Sequence, residues 1–226
     1  MMRFVRCAIA VCRKDLLTEA RQRETVSTVC FFGLVVVLLF GFAVGSDTTW
    51  LTRLAPGLLW LTVLLSVVVA LERSFQAEAE EGCMDRLILY SASHRAVFLG
   101  KCVTNCCVIG TVQLIVGLAM SILYDLPTPQ QPGLLIAALL LGDVGIAVLG
   151  TFYSAVLSKT RARHVMLPLL LFPMLIPLLV CVVTTTQAAL LGDLFGETTV
   201  WLRLLILFDA IFVAAVFWTI DPLMEA

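Results

Sequence analysis

The chain has 226 residues, 61% of them hydrophobic and 14% charged, with a formal net charge of −1 and a mean hydropathy of +1.03. Soluble domains carry about 25% charged and 45–50% apolar residues, so this composition excludes an ordinary water-soluble fold and indicates an integral membrane protein. The near-zero net charge is silent about partners, because in a membrane protein the distribution of charge matters more than its sum; no nucleic-acid partner is expected.

Residues 1–25 carry Arg3, Arg6, Arg13 and Lys14 on one half of a helical wheel and Phe4, Val5, Ala8, Ile9, Val11, Cys12 and Leu16 on the other. That pattern predicts an amphipathic elbow helix lying in the headgroup layer, with a basic tail that merely sets topology as the alternative. The first apolar stretch is too short for a cleavable signal, and none is expected. Uncharged stretches then follow one another. A helix needs about 20 residues to cross the bilayer core, and six segments qualify, at about 26–45, 54–71, 102–124, 133–158, 165–187 and 201–220. Each must be helical, since only a helix satisfies its own backbone in lipid. The expected fold is therefore an all-α integral membrane protein with six transmembrane helices and a short tail at 221–226.

Orientation follows from the basic residues. With the N-terminus inside, 13 of the 15 lysines and arginines fall on the inner side, leaving Arg53 and Arg203 outside. This positive-inside bias predicts that both termini are cytoplasmic. Trp50, Tyr124 and Trp201 then fall at outer ends as interfacial aromatics, and Trp60 lies deeper, where it is expected to pack between helices.

Within the spans, Gly41 and Gly45 make a GxxxG, a candidate close-packing face. Asp143 and Asp209 are acids at membrane depth, where a charge costs roughly 2.5–3.5 kcal/mol on insertion scales. Asp143 has two open readings, a gating or substrate-path acid and a polar contact to a neighbouring helix. For Asp209 the contact or an interfacial position is preferred. Pro168, Pro173 and Pro177 punctuate the fifth span, where each removes a backbone donor, and predict a kinked helix that bends or lines a path.

None of the eight cysteines falls in an outer loop, so no disulfide framework is expected. Cys102 and Cys106 share a helix face but lack a paired C-x-x-C or a histidine partner, so they read as small apolar residues rather than a metal site. His94 and His164 read as headgroup-contacting imidazoles rather than haem ligands. The chain contains no GxxxxGK[ST] phosphate loop, no HExxH and no GxSxG, so it is not expected to be an enzyme or to hydrolyse ATP by itself.

The longest inner segment is 72–101, containing "EAEEGCMDRLILYSASHRAVFLGK". Its acids open a stretch that can form a short helix, where the macrodipole favours them, and Leu87, Ile88 and Leu89 give an apolar grip. A docking element and a solvated connector both fit. These residues resemble the loop after the second helix of ABC-2-type exporter permeases. With "KDLLTEARQRE", "RLAPGLLWLTVLLSVVVALERSF", "FLGK", "LPLLLFPMLIPLLV" and "LFDAIF", the chain is similar to the haem exporter protein B family, the permease of the cytochrome c maturation transporter, over residues 14–212. The resemblance implies an ABC-2-type permease with a cytoplasmic coupling helix, in which Glu80, Glu81, Gly82, Asp85, Arg86 and Leu87 meet a separate ATPase subunit. Lys159, Arg161 and Arg163 would form a second contact, and Asp143, Pro168, Pro173 and Pro177 a gate or path.

The resemblance further implies the bacterial inner membrane, ATP bound by the partner, haem as a substrate, other membrane subunits of the maturation complex, and a periplasmic haem chaperone met indirectly. A non-transporting subunit that drives release of that chaperone, and an exporter permease for another substrate, are the alternatives. Two departures stand out. Ser91 in "YSASHR" replaces a proline common in relatives and leaves the exit angle of the coupling segment open. "KTRARH" replaces an RGG-like loop between the fourth and fifth spans, which bears on the second ATPase contact.

Overall fold

The computed structural model describes residues 2–22, 24–45, 48–73, 94–158, 160, 162–192, 196 and 198–225. The described secondary structure is helical throughout: α1 (Met2–Gln22), α2 (Glu24–Val44), α3 (Thr48–Arg73), α4 (His94–Leu123), α5 (Pro132–Leu157), α6 (Arg163–Leu191) and α7 (Thr198–Glu225). Six of these, α2 to α7, contain stretches long and apolar enough to cross a membrane: Ser27–Val44, Thr48–Leu71, Arg95–Leu123, Pro132–Leu157, Arg163–Leu191 and Thr198–Ile220. The chain is thus an all-α, multi-pass membrane protein.

The helices run past the charges that bracket the apolar stretches. Arg53 lies inside α3, and α4 starts at His94, ahead of Arg95 and Lys101. Lysine and arginine are good helix formers, so a charge near a membrane surface marks depth without stopping the helix. What stops α2 is Gly45, whose φ of +76° is open to glycine and costly for other residues. Gly45 has open space around it, while a Cβ at Gly41 would stand 3.0 Å from the Tyr124 ring. The GxxxG expectation is corrected accordingly: Gly41 receives the Tyr124 side chain, and Gly45 terminates its own helix.

The main core joins α3, α4, α5, α6 and α7 through Trp60, Leu64, Ile109, Ile146, Leu171, Leu175, Leu178 and Leu205. In α6 the buried positions Leu167, Leu171, Leu175, Leu178 and Val182 repeat at three- and four-residue steps, the stripe of a helix with one packed face. A second cluster holds α2 against α3 and α4 through Val29, Val37, Leu58, Val112, Val116 and Tyr124. Tyr124 is corrected from an interfacial anchor to an internal strut. It is 1% exposed, and its hydroxyl donates to the Val37 carbonyl at 2.7 Å. Trp50, by contrast, is exposed, as an anchor should be. The large apolar residues left outside, among them Phe31, Phe42, Ile122, Leu169 and Trp218, form the surface that a bilayer would cover.

Candidate functional site

The end of the bundle that flanks residues 74–93 is built from both sides of that segment. On the entering side, the last turns of α3 are gripped by α5. Ser154 Oγ donates to the Leu71 carbonyl at 2.8 Å, and the Leu71 side chain fills the notch left by Gly150. On the leaving side, the first turns of α4 touch both terminal helices. Arg95 places its guanidinium carbon 5.0 Å from the Phe217 ring centroid in α7, a cation–π distance. Phe98 and Cys102 pack with Val216 and Ile220.

The elbow helix α1 docks on α4 in the same region. A Cβ at Gly100 would meet the Ala8 carbonyl oxygen at 2.7 Å and the Val11 Cβ at 2.9 Å, so the two helices approach at a distance only glycine allows. One residue on, Lys101 Nζ lies 3.3 Å from Asp15 Oδ2, with the lysine side chain 3% exposed. Asp15 Oδ1 is 3.1 Å from Lys14 Nζ, so one carboxylate bridges two helices. The apolar face of α1 is therefore divided. Val11 is buried against α4, while Val5, Ile9 and Leu17 remain exposed.

The candidate residues of the coupling segment, Glu80, Glu81, Gly82, Asp85, Arg86 and Leu87, lie outside the described residues, as do Lys159 and Arg161. Arg163 opens α6 and is half-buried. It follows a tight turn in which Thr160 N–H donates to the Leu157 carbonyl at 2.9 Å. Asp143 is buried in the middle of α5. All three prolines lie inside the continuous helix α6, where their missing N–H groups free the carbonyls of His164, Leu169 and Pro173. Pro173 and Pro177 are exposed and Pro168 is half-buried, so the structure does not bring the exposed pair together with Asp143.

Deeper in the bundle, Trp60 is fully buried. Its Nε1 donates to Thr186 Oγ1 at 3.0 Å, and its indole lies against Gly142, where a Cβ would overlap the ring. Asn105 Nδ2 donates to Thr151 Oγ1 at 2.8 Å, tying α4 to α5 between the membrane middle and the gripped end. These braces join α3 to α6 and α4 to α5, so the ends that flank residues 74–93 are continuous with the core.

Asp15, Gly100 and Lys101 are the functional candidates that sequence reading missed. The "FLGK" motif drew attention to the last two only as part of a resemblance. The available signal was a lysine beside a glycine at the head of an apolar span, which requires a carboxylate partner if it is buried.

Comparison with known proteins bears on the whole chain. A family model described as "CcmB protein" matches residues 6–221. Heme exporter protein B of Pseudomonas aeruginosa is 29% identical over 86% of this chain and 86% of its own length. Proteins of the same name are 32% identical in Paracoccus denitrificans, over 74% of this chain and 76% of theirs, and 34% identical in Rhodobacter capsulatus, over 76% and 78%.

Proposed function

Because the chain belongs to the CcmB protein family, we propose that it is the permease subunit of an ABC transporter that exports or delivers haem for c-type cytochrome biogenesis, driven by a separate ATPase subunit. The relatives named as heme exporter proteins supply the cargo in this reading. The chain itself supplies a six-span bundle and no phosphate loop, so energised work requires ATP bound by a partner.

One observation supports residues 72–101 as the point where the ATPase acts. Both helices that flank the segment are pinned to other helices: α3 to α5 through Leu71 and Ser154, and α4 to α1 through Lys101 and Asp15. Arg95 adds a contact to α7. A displacement of the segment would therefore be shared by α1, α3, α4, α5 and α7, because packed helices shift as discrete units rather than deform. In this reading Glu80, Glu81, Gly82, Asp85, Arg86 and Leu87 meet the ATPase, with Lys159, Arg161 and Arg163 as its second contact. Both termini face the cytoplasm of a bacterial inner-membrane protein. The other membrane subunits of the maturation complex and a periplasmic haem chaperone are its further partners.

Reversing both acids, Glu80→Lys with Glu81→Lys, tests the docking. The ATPase should no longer co-purify, while the permease stays at normal abundance in the membrane. Undiminished co-purification would make the acidic pair a solvated face.

A further inference from the structure

Two carboxylates with unpartnered oxygens lie inside the membrane-spanning part of the bundle. Asp143 is 3% and Asp209 6% exposed. Asp143 Oδ1 and both carboxylate oxygens of Asp209 have no hydrogen-bond partner. They share a depth. Asp143 is eleven residues into the span Pro132–Leu157, and Asp209 eleven residues into Thr198–Ile220. At 1.5 Å per residue each sits about 16 Å along its helix, near the middle of a hydrocarbon core of about 30 Å.

Each acid faces a glycine. A Cβ at Gly110 of α4 would stand 3.4 Å from Asp143 Oδ2. A Cβ at Gly145 of α5 would stand 2.6 Å from Asp209 Oδ1 and would overlap Leu178 of α6. Cys106 of α4 is close enough to Asp143 to interact electrostatically. Gln113, on the same face of α4 as Cys106 and Gly110, is 6% exposed, with Nε2 unpartnered. Gly145 and Leu178 line Asp209. Among the described residues, no lysine, arginine or histidine pairs with either acid.

A naked carboxylate at this depth is costly, and the packing leaves it no cation. We propose that Asp143 and Asp209 are two separate proton-binding sites at the middle of the membrane, set on opposite faces of α5 and both loaded in the packing described here, Asp209 being unloaded when α7 parts from α5 and Asp143 when α4 does. In the loaded form each side chain is a neutral carboxylic acid. When water reaches Asp209, the acid O–H bond breaks, the proton passes to water as hydronium, and the carboxylate keeps the electron pair. Asp143 loses its proton in the same way when water reaches it past Gly110 of α4, and Gln113, one helical turn further along that face of α4, is the amide nearest to that opening in sequence. Helix α7 is suited to the movement. Its span is enclosed less than those of α3, α4, α5 and α6, and Asp209 meets α5 at the Gly145 notch. The unloading half of this proposal rests on the transport reading above.

Infrared spectroscopy of the full chain in lipid nanodiscs tests the loaded half independently of transport. The wild type should show a protonated-carboxyl carbonyl band that shifts in heavy water, and Asp143→Asn and Asp209→Asn should each remove part of it. Absence of the band, or its undiminished intensity in both variants, would overturn the proposal. Should a variant fail to fold, the wild type alone suffices. A hydrophobic carbodiimide, which attacks protonated carboxyls, should label Asp143 and Asp209 in peptide mass spectra, and no labelling of either would overturn it too. For unloading, the asparagine variants mimic a site that never releases its proton. Cytochrome c maturation should fall about a hundredfold, the scale of losing a proton-transfer group, with membrane abundance and ATPase co-purification unchanged. Full maturation by both variants would refute the cycle and leave two static neutral acids.

Discussion

Replacing Gly100 by valine is expected to detach the elbow helix from α4. A Cβ there would lie 2.7 Å from the Ala8 carbonyl oxygen and 2.9 Å from the Val11 Cβ. Carbon atoms rest at about 3.5–4.0 Å, so α1 must retreat by about 1 Å, and the two further methyls of valine widen the gap. Overpacking of this kind costs about 1–3 kcal/mol. It also strips Val11, which is 7% exposed, of part of its buried surface, and stretches the Lys101–Asp15 pair beyond 3.3 Å. A net loss of about 2 kcal/mol would change the ratio of docked to undocked elbow about 30-fold. The chain carries its own reporter. Cys12 adjoins Val11, which packs on Gly100 of α4, and Cys107 lies two helical turns further along α4, so a bifunctional thiol reagent should link them in native membranes. Peptide mass spectrometry should show the link in the wild type and a severalfold lower yield in Gly100→Val at equal abundance. An unchanged yield would refute the idea that α1 is held by close approach at Gly100.

Two further outcomes are expected. Gly142→Val should expel the Trp60 indole from its notch and break the 3.0 Å bond to Thr186. That combines overpacking of about 1–3 kcal/mol with roughly 0.6 kcal/mol for an interhelical hydrogen bond in a membrane protein, so the thermal midpoint should drop. Gly133→Ala has open space around it and is the control; equal midpoints would show that the Trp60 brace contributes nothing. Gly82→Val should impair cytochrome c maturation more than Cys83→Ala does, because glycine reaches backbone conformations closed to a β-branched residue, and equal maturation in the two would count against a constrained turn there.

The architecture was legible because lipid leaves the chain little choice. Uncharged stretches of span length must become helices, and Trp60, too deep to be an anchor, had to be buried among them. Helix ends were less legible, since Arg53, Arg95 and Lys101 mark a depth that helices simply pass through. Tyr124 was misread because position in the chain cannot distinguish a headgroup contact from a hydroxyl turned inward to Val37. The elbow contact was invisible for a different reason. Asp15 and Lys101 are 86 residues apart, and nothing local to either announces the other. Pro173 and Pro177 carry their signature plainly, yet which face of α6 they occupy depends on the leucine stripe that packs against α5, and that stripe turns them outward.

Whether the proposed export or delivery of haem includes ATP-driven passage across the bilayer is tested most directly by haem flux in vesicles reconstituted with the permease, its ATPase and the remaining subunits. Flux should require ATP hydrolysis and be lost on Glu80→Lys with Glu81→Lys. ATP-dependent release of the haem chaperone with no haem crossing the bilayer would contradict such passage.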